Sequence, residues 1–191
     1  MIDFYVVLIP KENPKAESGV DVLFSRTCYF ADIGINYGAV GIQAGGIGSL
    51  GFSLKSVSFG NIPVTTEDFP DGTGETYSPT YVVAGLTYSR LLSDRISIGA
   101  NFNLISEKIM STSASGFAFD AGVEYYGLGI PELKLGVTLK NVGGNMTYDG
   151  TDLLRQGTTV GDIRGTQWYK VQAASFELPS KMEIALAYDK K

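Results

Sequence analysis

Residues 96–126 read ISIGANFNLISEKIMSTSASGFAFDAGVEYY, and the fold follows from this stretch more than from any other. Apolar residues alternate with small or polar ones in its first half and again in its second half. The apolar positions are Ile96, Ile98, Ala100, Phe102, Leu104, Phe117, Phe119, Ala121, Val123 and Tyr125. Successive side chains of a β-strand point to opposite faces, so each half predicts a strand with one apolar and one polar face. The two halves and the tight connection between them predict a β-hairpin.

The faces of this hairpin have to agree across its two strands, and this requirement restricts the register. Pairing Leu104 with Phe119 and Phe102 with Ala121 keeps the apolar side chains together and sets Asn103 opposite Asp120 on the polar side. A shift by one residue would mix the two faces. We therefore predict this register for the hairpin.

The composition favours β-structure with tight turns. The chain has 191 residues, enough for one domain with a full core, and 44% of them are hydrophobic. Glycine (24 residues), tyrosine (11) and phenylalanine (10) are abundant, whereas charged residues make up 18%, against a typical share of roughly 25%. The net charge of −5 offers no basic stripe, which argues against a nucleic-acid partner.

The residue types present also argue against an enzyme. The chain has no histidine, which is the most frequent general base and a common ligand of transition metals. Its single cysteine, Cys28, can form neither an internal disulfide nor a paired-cysteine metal site. Gly46, Gly48 and Gly51 have the GxGxxG spacing, but the next residues alternate with period two, which predicts a hairpin instead of the helix of a dinucleotide site. We predict no catalytic residues, no metal site and no cofactor.

The same alternation recurs along most of the chain. Two polar stretches interrupt it, at residues 60–79 and 141–165, whereas other connections are short. No segment has a helical period of any length or reaches the ~18 apolar residues that a transmembrane helix needs. Short turns that alternate with long loops are typical of an antiparallel meander with two unlike ends. We predict a single all-β domain over residues 1–191, of about eight or nine strands, with an irregular N-terminal segment over residues 1–19.

A transmembrane β-barrel and a soluble β-sandwich both show this alternation. Several runs are longer than the ~5–6 residues usual in soluble proteins and suit the ~9–11 residues of a tilted strand that spans a bilayer. The polar face is rich in glycine, whereas the solvent face of a sandwich usually carries more Lys, Glu and Thr. Tyr88, Tyr125 and Tyr188 lie near the ends of their runs, where an interfacial girdle would place them. We predict an antiparallel up-and-down transmembrane β-barrel that is incomplete in this chain.

The barrel prediction places one face of the strands against lipid and the other against the lumen. The predicted lipid-facing residues are Ile98, Phe102, Leu104, Phe117, Phe119 and Val123. The predicted lumen-facing polar residues are Asp32, Asn36, Asn101, Asn103, Asp120 and Glu124. Charge pairing in a wet or plugged lumen explains these acidic residues more simply than acid–base catalysis does.

Short motifs from Asn13 onward carry a family resemblance. They are Asn13-Pro14, Ala31-Asp-Ile-Gly-Ile-Asn-Tyr37, Gly48-Ser-Leu-Gly-Phe-Ser-Leu54, Phe59-Gly60, Asp71-Gly-Thr-Gly-Glu75, Leu86-Thr-Tyr-Ser-Arg90, Phe117-Ala-Phe-Asp-Ala-Gly122, Leu139-Lys-Asn141 and Phe176-Glu-Leu-Pro179. In these motifs the chain resembles PorV/PorQ-type outer-membrane proteins, part of the wider FadL-like group of long-chain fatty acid transporters. The resemblance implies a β-barrel with more strands than this chain provides.

The resemblance also implies a place and a role. The place is the bacterial outer membrane, although the apolar start over residues 1–10 carries Asp3 where a signal peptide would be basic and lacks a cleavage site. The role is either type IX protein secretion with attachment of cargo at the cell surface, or transport of hydrophobic small molecules. The implied partners are outer-membrane lipid and secreted cargo or secretion-system components. The alternative from another class is a soluble β-sandwich module that binds carbohydrate or protein.

Overall fold

A computed structural model describes residues 19–157 and 165–188. In chain order its strands are β1 (Val20–Cys28), β2 (Gly34–Gln43), β3 (Ser49–Ser58), β4 (Ile62–Pro63), β5 (Thr76–Tyr77), β6 (Thr80–Ser93), β7 (Ile96–Ile109), β8 (Thr112–Tyr126), β9 (Leu133–Gly143), β10 (Met146–Thr147), β11 (Asp149–Gly150), β12 (Leu154–Gly157), β13 (Gln167–Lys170), β14 (Ser175–Phe176) and β15 (Lys181–Tyr188). Two 3₁₀ turns span Gly45–Ile47 and Thr151–Leu153. Apart from Gly19, the irregular segment predicted over residues 1–19 lies outside the described residues.

Eight strands form one sheet, in which they lie side by side in the order in which they occur along the chain. The order is β1-β2-β3-β6-β7-β8-β9-β15, every pair is antiparallel, and the short β11 adds to one end of β8. The predicted all-β, antiparallel up-and-down sheet of eight or nine strands is confirmed. Within the described residues the sheet is not closed into a barrel, because β1 and β15 each have an unpaired edge.

In the described part of the chain, no helix has the length and apolar character needed to cross a membrane.

The register predicted for the central hairpin is wrong by two residues. Phe102 pairs with Phe119 and Leu104 with Phe117, so Asn103 lies opposite Ala118 instead of Asp120. The difference arises because both strands continue beyond the segments used for the prediction and meet at a two-residue turn, where Met110 has a φ of 52°. A turn of this length fixes the pairing. A shift of two residues keeps every side chain of this hairpin on its predicted face, so the face assignments of the hairpin are correct although its register is not.

The two edges at which the strands turn are unlike, as the loop pattern predicted. The short-turn edge carries the brief connections β2–β3, β6–β7 and β8–β9, and the first strand starts and the last strand ends there. The long-loop edge carries the connections β3–β6 and β9–β15 as well as the turns β1–β2 and β7–β8. Both long connections therefore project from the same edge of the sheet.

The connection between β9 and β15 folds back over one face of the sheet. Its strand β10 pairs with β14, and Met146 of β10 is fully buried. Met146 packs with Ile105, Ala114 and Ala118, and partly buried side chains surround this core. Those surrounding residues are Tyr81, Val83, Tyr148, Phe176 and Leu178. This core lies toward the long-loop edge of the sheet.

Candidate functional site: an exposed apolar band and a polar cluster

The face that carries Phe102 and Phe119, here named the outer face, is apolar and uncovered. All eight strands of the main sheet contribute to it, because directly paired residues share a face. The side chains of this apolar band are Val20, Val22, Phe24, Val40, Ile42, Leu50, Phe52, Leu54, Val82, Ala84, Leu86, Tyr88, Ile96, Ile98, Ala100, Phe102, Leu104, Phe117, Phe119, Ala121, Val123, Tyr125, Leu133, Leu135, Val137, Leu139, Val142, Met182, Ile184, Leu186 and Tyr188. Most of the large ones are exposed.

The six residues predicted to face lipid all belong to this band. Phe119 is 53% exposed and Leu104 is 55% exposed, whereas Phe102 is half-buried between neighbouring rings. The ring centroids of Phe102 and Phe119 are 4.9 Å apart, and Phe117 lies 6.2 Å from Phe119. The three rings form an aromatic patch at the centre of the outer face. Its contact with lipid stays a prediction.

The apolar band is inclined to the rows of hydrogen-bonded residues. One such row crosses the whole sheet through Val20, Ile42, Leu50, Tyr88, Ala100, Ala121, Leu139 and Met182. In β1 the band extends from this row toward the long-loop edge, as far as Phe24. In β15 it extends in the opposite direction, toward the short-turn edge, as far as Tyr188. The band therefore shifts along the strands as it crosses the sheet.

Three tyrosines of the outer face lie at the short-turn side of the band. Their positions shift along the strands in the same direction as the band does. Tyr88 lies in the row just described, Tyr125 lies four residues beyond Ala121, and Tyr188 lies six residues beyond Met182. The Tyr88 hydroxyl donates a hydrogen bond of 2.7 Å to the carbonyl of Ile47 in the β2–β3 turn.

The opposite face, named the inner face, holds a hydrogen-bonded polar cluster. The Asn101 amide donates to Asn103 Oδ1 at 2.8 Å and to Asp120 Oδ2 at 3.1 Å, and Asn103 donates to the same carboxylate oxygen at 2.8 Å. Thr87 donates to Asn101 Oδ1 at 3.0 Å. A Cβ at Gly85 would lie 3.0 Å from Asn103 Oδ1 and closer still to a serine hydroxyl. The absence of a side chain at Gly85 therefore makes room for the cluster.

Asp120 also holds a β-bulge in the neighbouring strand. Between Phe119 and Ala121 the pairing of β8 with β9 shifts by one residue, so two residues of β9, Lys140 and Asn141, face Asp120 alone. The backbone N–H of Asn141 donates to Asp120 Oδ1 at 2.7 Å, and Asn141 has a φ of 56°. A bulge with an extra residue in the left-handed region bends and twists the strand that carries it. Asp120 thus joins the central hairpin to β9.

The remaining predicted lumen-facing residues lie apart from this cluster. Glu124 shares the inner face but lies nearer the short-turn edge, opposite Ser97. Asp32 is exposed in the turn between β1 and β2, with a φ of 57°. Asn36 lies on the outer face beyond the apolar band, because β2 has apolar residues on both faces and Tyr37, not Asn36, points inward. Neither Asp32 nor Asn36 therefore joins Asn101, Asn103 and Asp120.

Sequence reasoning missed the cover over the inner face. A Cβ at Gly116 would lie 2.6 Å from Met146 Cγ, so this glycine admits the buried methionine. Beside it Tyr148 stacks on Phe176, with ring centroids 5.5 Å apart, and donates a 2.5 Å hydrogen bond to Glu107 Oε2. This hydrogen bond, together with burial, raises the pKa of Tyr148 to about 12. The one available signal was Met146 itself, an apolar residue isolated in a polar stretch.

The long-loop edge also carries an exposed aromatic hairpin. Strands β12 and β13 pair outside the main sheet, and Trp168 and Tyr169 of β13 are exposed. Lys170 of β13 forms an ion pair with Asp149 of β11, and this hydrogen-bonded lysine lowers the pKa of the Asp149 carboxyl. The hairpin is thereby tied to the end of β8.

Among the described residues, no cluster of side chains has the composition of a metal site. Their acidic and cysteine side chains nowhere form a group of three that could hold a metal ion, and Cys28 is an exposed free thiol. The GxGxxG-like stretch forms a 3₁₀ turn that enters strand β3, so the hairpin prediction is confirmed there.

Comparison with family models, curated proteins and solved structures found no match to this chain.

Proposed function

We propose that this chain forms part of the wall of a transmembrane β-barrel in the bacterial outer membrane, and that it serves secretion or transport without catalysing a reaction. The observation that carries the proposal is the apolar band, which is exposed, covers all eight strands and is inclined to their register. The inner face, by contrast, carries small and polar side chains and a folded-back loop.

A membrane explains both the exposure and the incline of the band. Soluble monomers rarely expose a contiguous apolar patch of more than a few hundred Å². Strands of a closed barrel tilt by ~35–45°, so a flat hydrocarbon layer meets successive strands at shifted positions. On β8 the band runs from Phe117 to Tyr125, which is roughly 27 Å along the strand at ~3.4 Å per residue. At a tilt of ~35–45° this length spans about 19–22 Å along the membrane normal, most of the ~25 Å apolar height of outer-membrane barrels.

The two unlike edges of the sheet indicate how it is oriented in the membrane. Outer-membrane barrels have short turns on the periplasmic side and longer loops on the outside. If the short-turn edge lies on the periplasmic side, Tyr88, Tyr125 and Tyr188 lie at the periplasmic interface of the membrane. The two long connections and the Trp168 hairpin then face the exterior, where they can meet secreted cargo.

The open edges require further strands. An unpaired strand edge in hydrocarbon leaves backbone N–H and C=O groups without partners, at a cost of several kcal/mol for each group. The edges of β1 and β15 must therefore pair with other strands in the membrane, and in vesicles of the purified protein further copies of the chain supply them. This requirement agrees with the resemblance to the PorV/PorQ group, whose barrels have more strands than this sheet. The resemblance also narrows the role to secretion of cargo proteins or transport of hydrophobic solutes.

The alternative, a soluble β-sandwich, needs a second layer over the outer face. The described residues supply none: Leu86 at the centre of the band is 58% exposed. A sandwich also places its polar face toward solvent, whereas Asn103 on the inner face is buried.

The test compares two arginine substitutions on the same face of the sheet. Leu86→Arg places a charge in the middle of the band, and Ser56→Arg places one beyond the band toward the long-loop edge. In phosphatidylcholine vesicles, Leu86→Arg should lower the free energy of unfolding by about 2–4 kcal/mol and Ser56→Arg by about 1 kcal/mol or less. The measurement is flotation of the full chain with vesicles across a urea series. A wild-type chain that stays monomeric in plain buffer and does not float would remove the proposal.

A further inference from the structure

We infer that a depression in the outer face binds one phospholipid, with an acyl chain on its alanine floor and the lipid phosphate at Arg90. This inference rests on the proposed function and deepens it, since it names a lipid site on the membrane-facing surface. Arg90 lies on the outer face, at the short-turn side of the band.

The depression exists because two small residues face each other among large ones. Ala100 and Ala121 are directly paired, and their small side chains leave a space of about 430 Å³ on the outer surface. Tyr88, Val123 and Leu139 form walls around it. The walls and the floor expose almost only carbon, so the space suits a hydrocarbon chain.

A cation lies next to the depression. Arg90 pairs with Ile98, which lines the same space, and its side chain is exposed. Within the described residues Arg90 forms no ion pair. Arg90 lies two residues beyond Tyr88 on the same face of β6, toward the short-turn edge, where the band ends and the membrane interface begins. A guanidinium at this depth can bind a lipid phosphate with two parallel hydrogen bonds.

The charges of the outer face favour a lipid over a second copy of the chain. Outward positions of the eight described main-sheet strands carry three charged residues, Arg26, Arg90 and Lys108, and all three are basic. A second copy that docked with its own band would therefore bring no carboxylate to Arg90. A phospholipid supplies both an acyl chain and an anion at the right place.

The experiment measures retention of phosphatidylglycerol by the full chain in detergent micelles, by native mass spectrometry. Wild-type chain should retain one lipid. Arg90→Gln should weaken retention about tenfold, because it removes a charge-assisted contact. Ala121→Leu should abolish retention, because it fills the depression at an exposed position. Arg26→Gln and Ala84→Leu are the matched controls on the same face, outside the depression, and both should bind like wild type.

Five results would overturn the inference. Equal losses of lipid retention in Ala84→Leu and Ala121→Leu would mean that lipid covers the outer face without a specific site. Competition by inorganic phosphate alone would mean an anion site without an acyl chain. Concentration-dependent dimers that Ala121→Leu disperses would assign the depression to a second copy. A chain that floats with vesicles yet retains no phosphatidylglycerol would end the inference and leave the proposed function intact, whereas a chain that does neither would end both.

Discussion

The outer and inner faces of the sheet consist of alternate residues of the same strands, yet they meet their surroundings in opposite ways. On the outer face large apolar side chains are exposed on all eight strands. On the inner face most side chains are small or polar, and a loop buries Met146 over Gly116. A water-soluble sheet shows the reverse, with its apolar face covered and its polar face in solvent.

The difference shows which contacts hold the described fold. Inner-face residues gain stability from burial and hydrogen bonds within the chain, as in the core around Met146 and the cluster around Asp120. Outer-face residues gain little from the chain itself and depend on what surrounds it. Substitutions on the two faces should therefore differ in cost, and the difference should depend on the presence of lipid or detergent.

The largest effect is expected from a matched pair of methionines. Met146→Ala removes a fully buried side chain and should lower the free energy of unfolding by about 2–5 kcal/mol, through lost burial and the cavity left behind. Met182→Ala, on the outer face of β15 and 65% exposed, should cost less than about 1 kcal/mol in micelles. Urea unfolding of the purified chain in detergent measures both. Equal losses would contradict the contrast between the faces.

A smaller effect is expected at the polar cluster. Asp120→Ala leaves the Asn101 and Asn103 amides and the Asn141 N–H without their acceptor, and should cost about 1–3 kcal/mol. Ser106→Ala, on the outer face of the same hairpin, should change stability by less than about 0.5 kcal/mol. Amide hydrogen exchange at the β8–β9 bulge should rise in Asp120→Ala alone. Unchanged exchange there would mean that Asp120 does not hold the bulge.

The smallest expected effect is a pH dependence of stability, which arises from Tyr148 in the folded-back loop. The pKa of Tyr148 is about 12 in the folded protein, above its ordinary value near 10, because it donates a hydrogen bond to Glu107. The stability from this contact is fully present below pH ~10 and is lost as the pH rises through about 12. Tyr148→Phe should remove this part of the alkaline stability loss. Tyrosinate absorbance should likewise lose a component with a pKa of about 12 in Tyr148→Phe.

The sequence by itself determined the elements and their faces. Strict alternation from Ile98 to Leu104 and from Phe117 to Val123 leaves one choice of face for each side chain, whatever the partner strand. A two-residue error in register therefore left all six predicted lipid-facing residues on one face. The alternation failed in β2, where apolar residues occupy both faces, and Asn36 was assigned to the wrong side for that reason.

Only the tertiary structure decided the contacts between distant segments. The β-bulge at Lys140–Asn141 turns Asp120 into the acceptor for β9, and no local pattern encodes that pairing. The packing of Met146 on Gly116 joins residues from separate elements, as does the incline of the apolar band across eight strands. Local alternation reports the periodicity of one strand at a time, whereas register and loop packing arise from energies that are shared between strands.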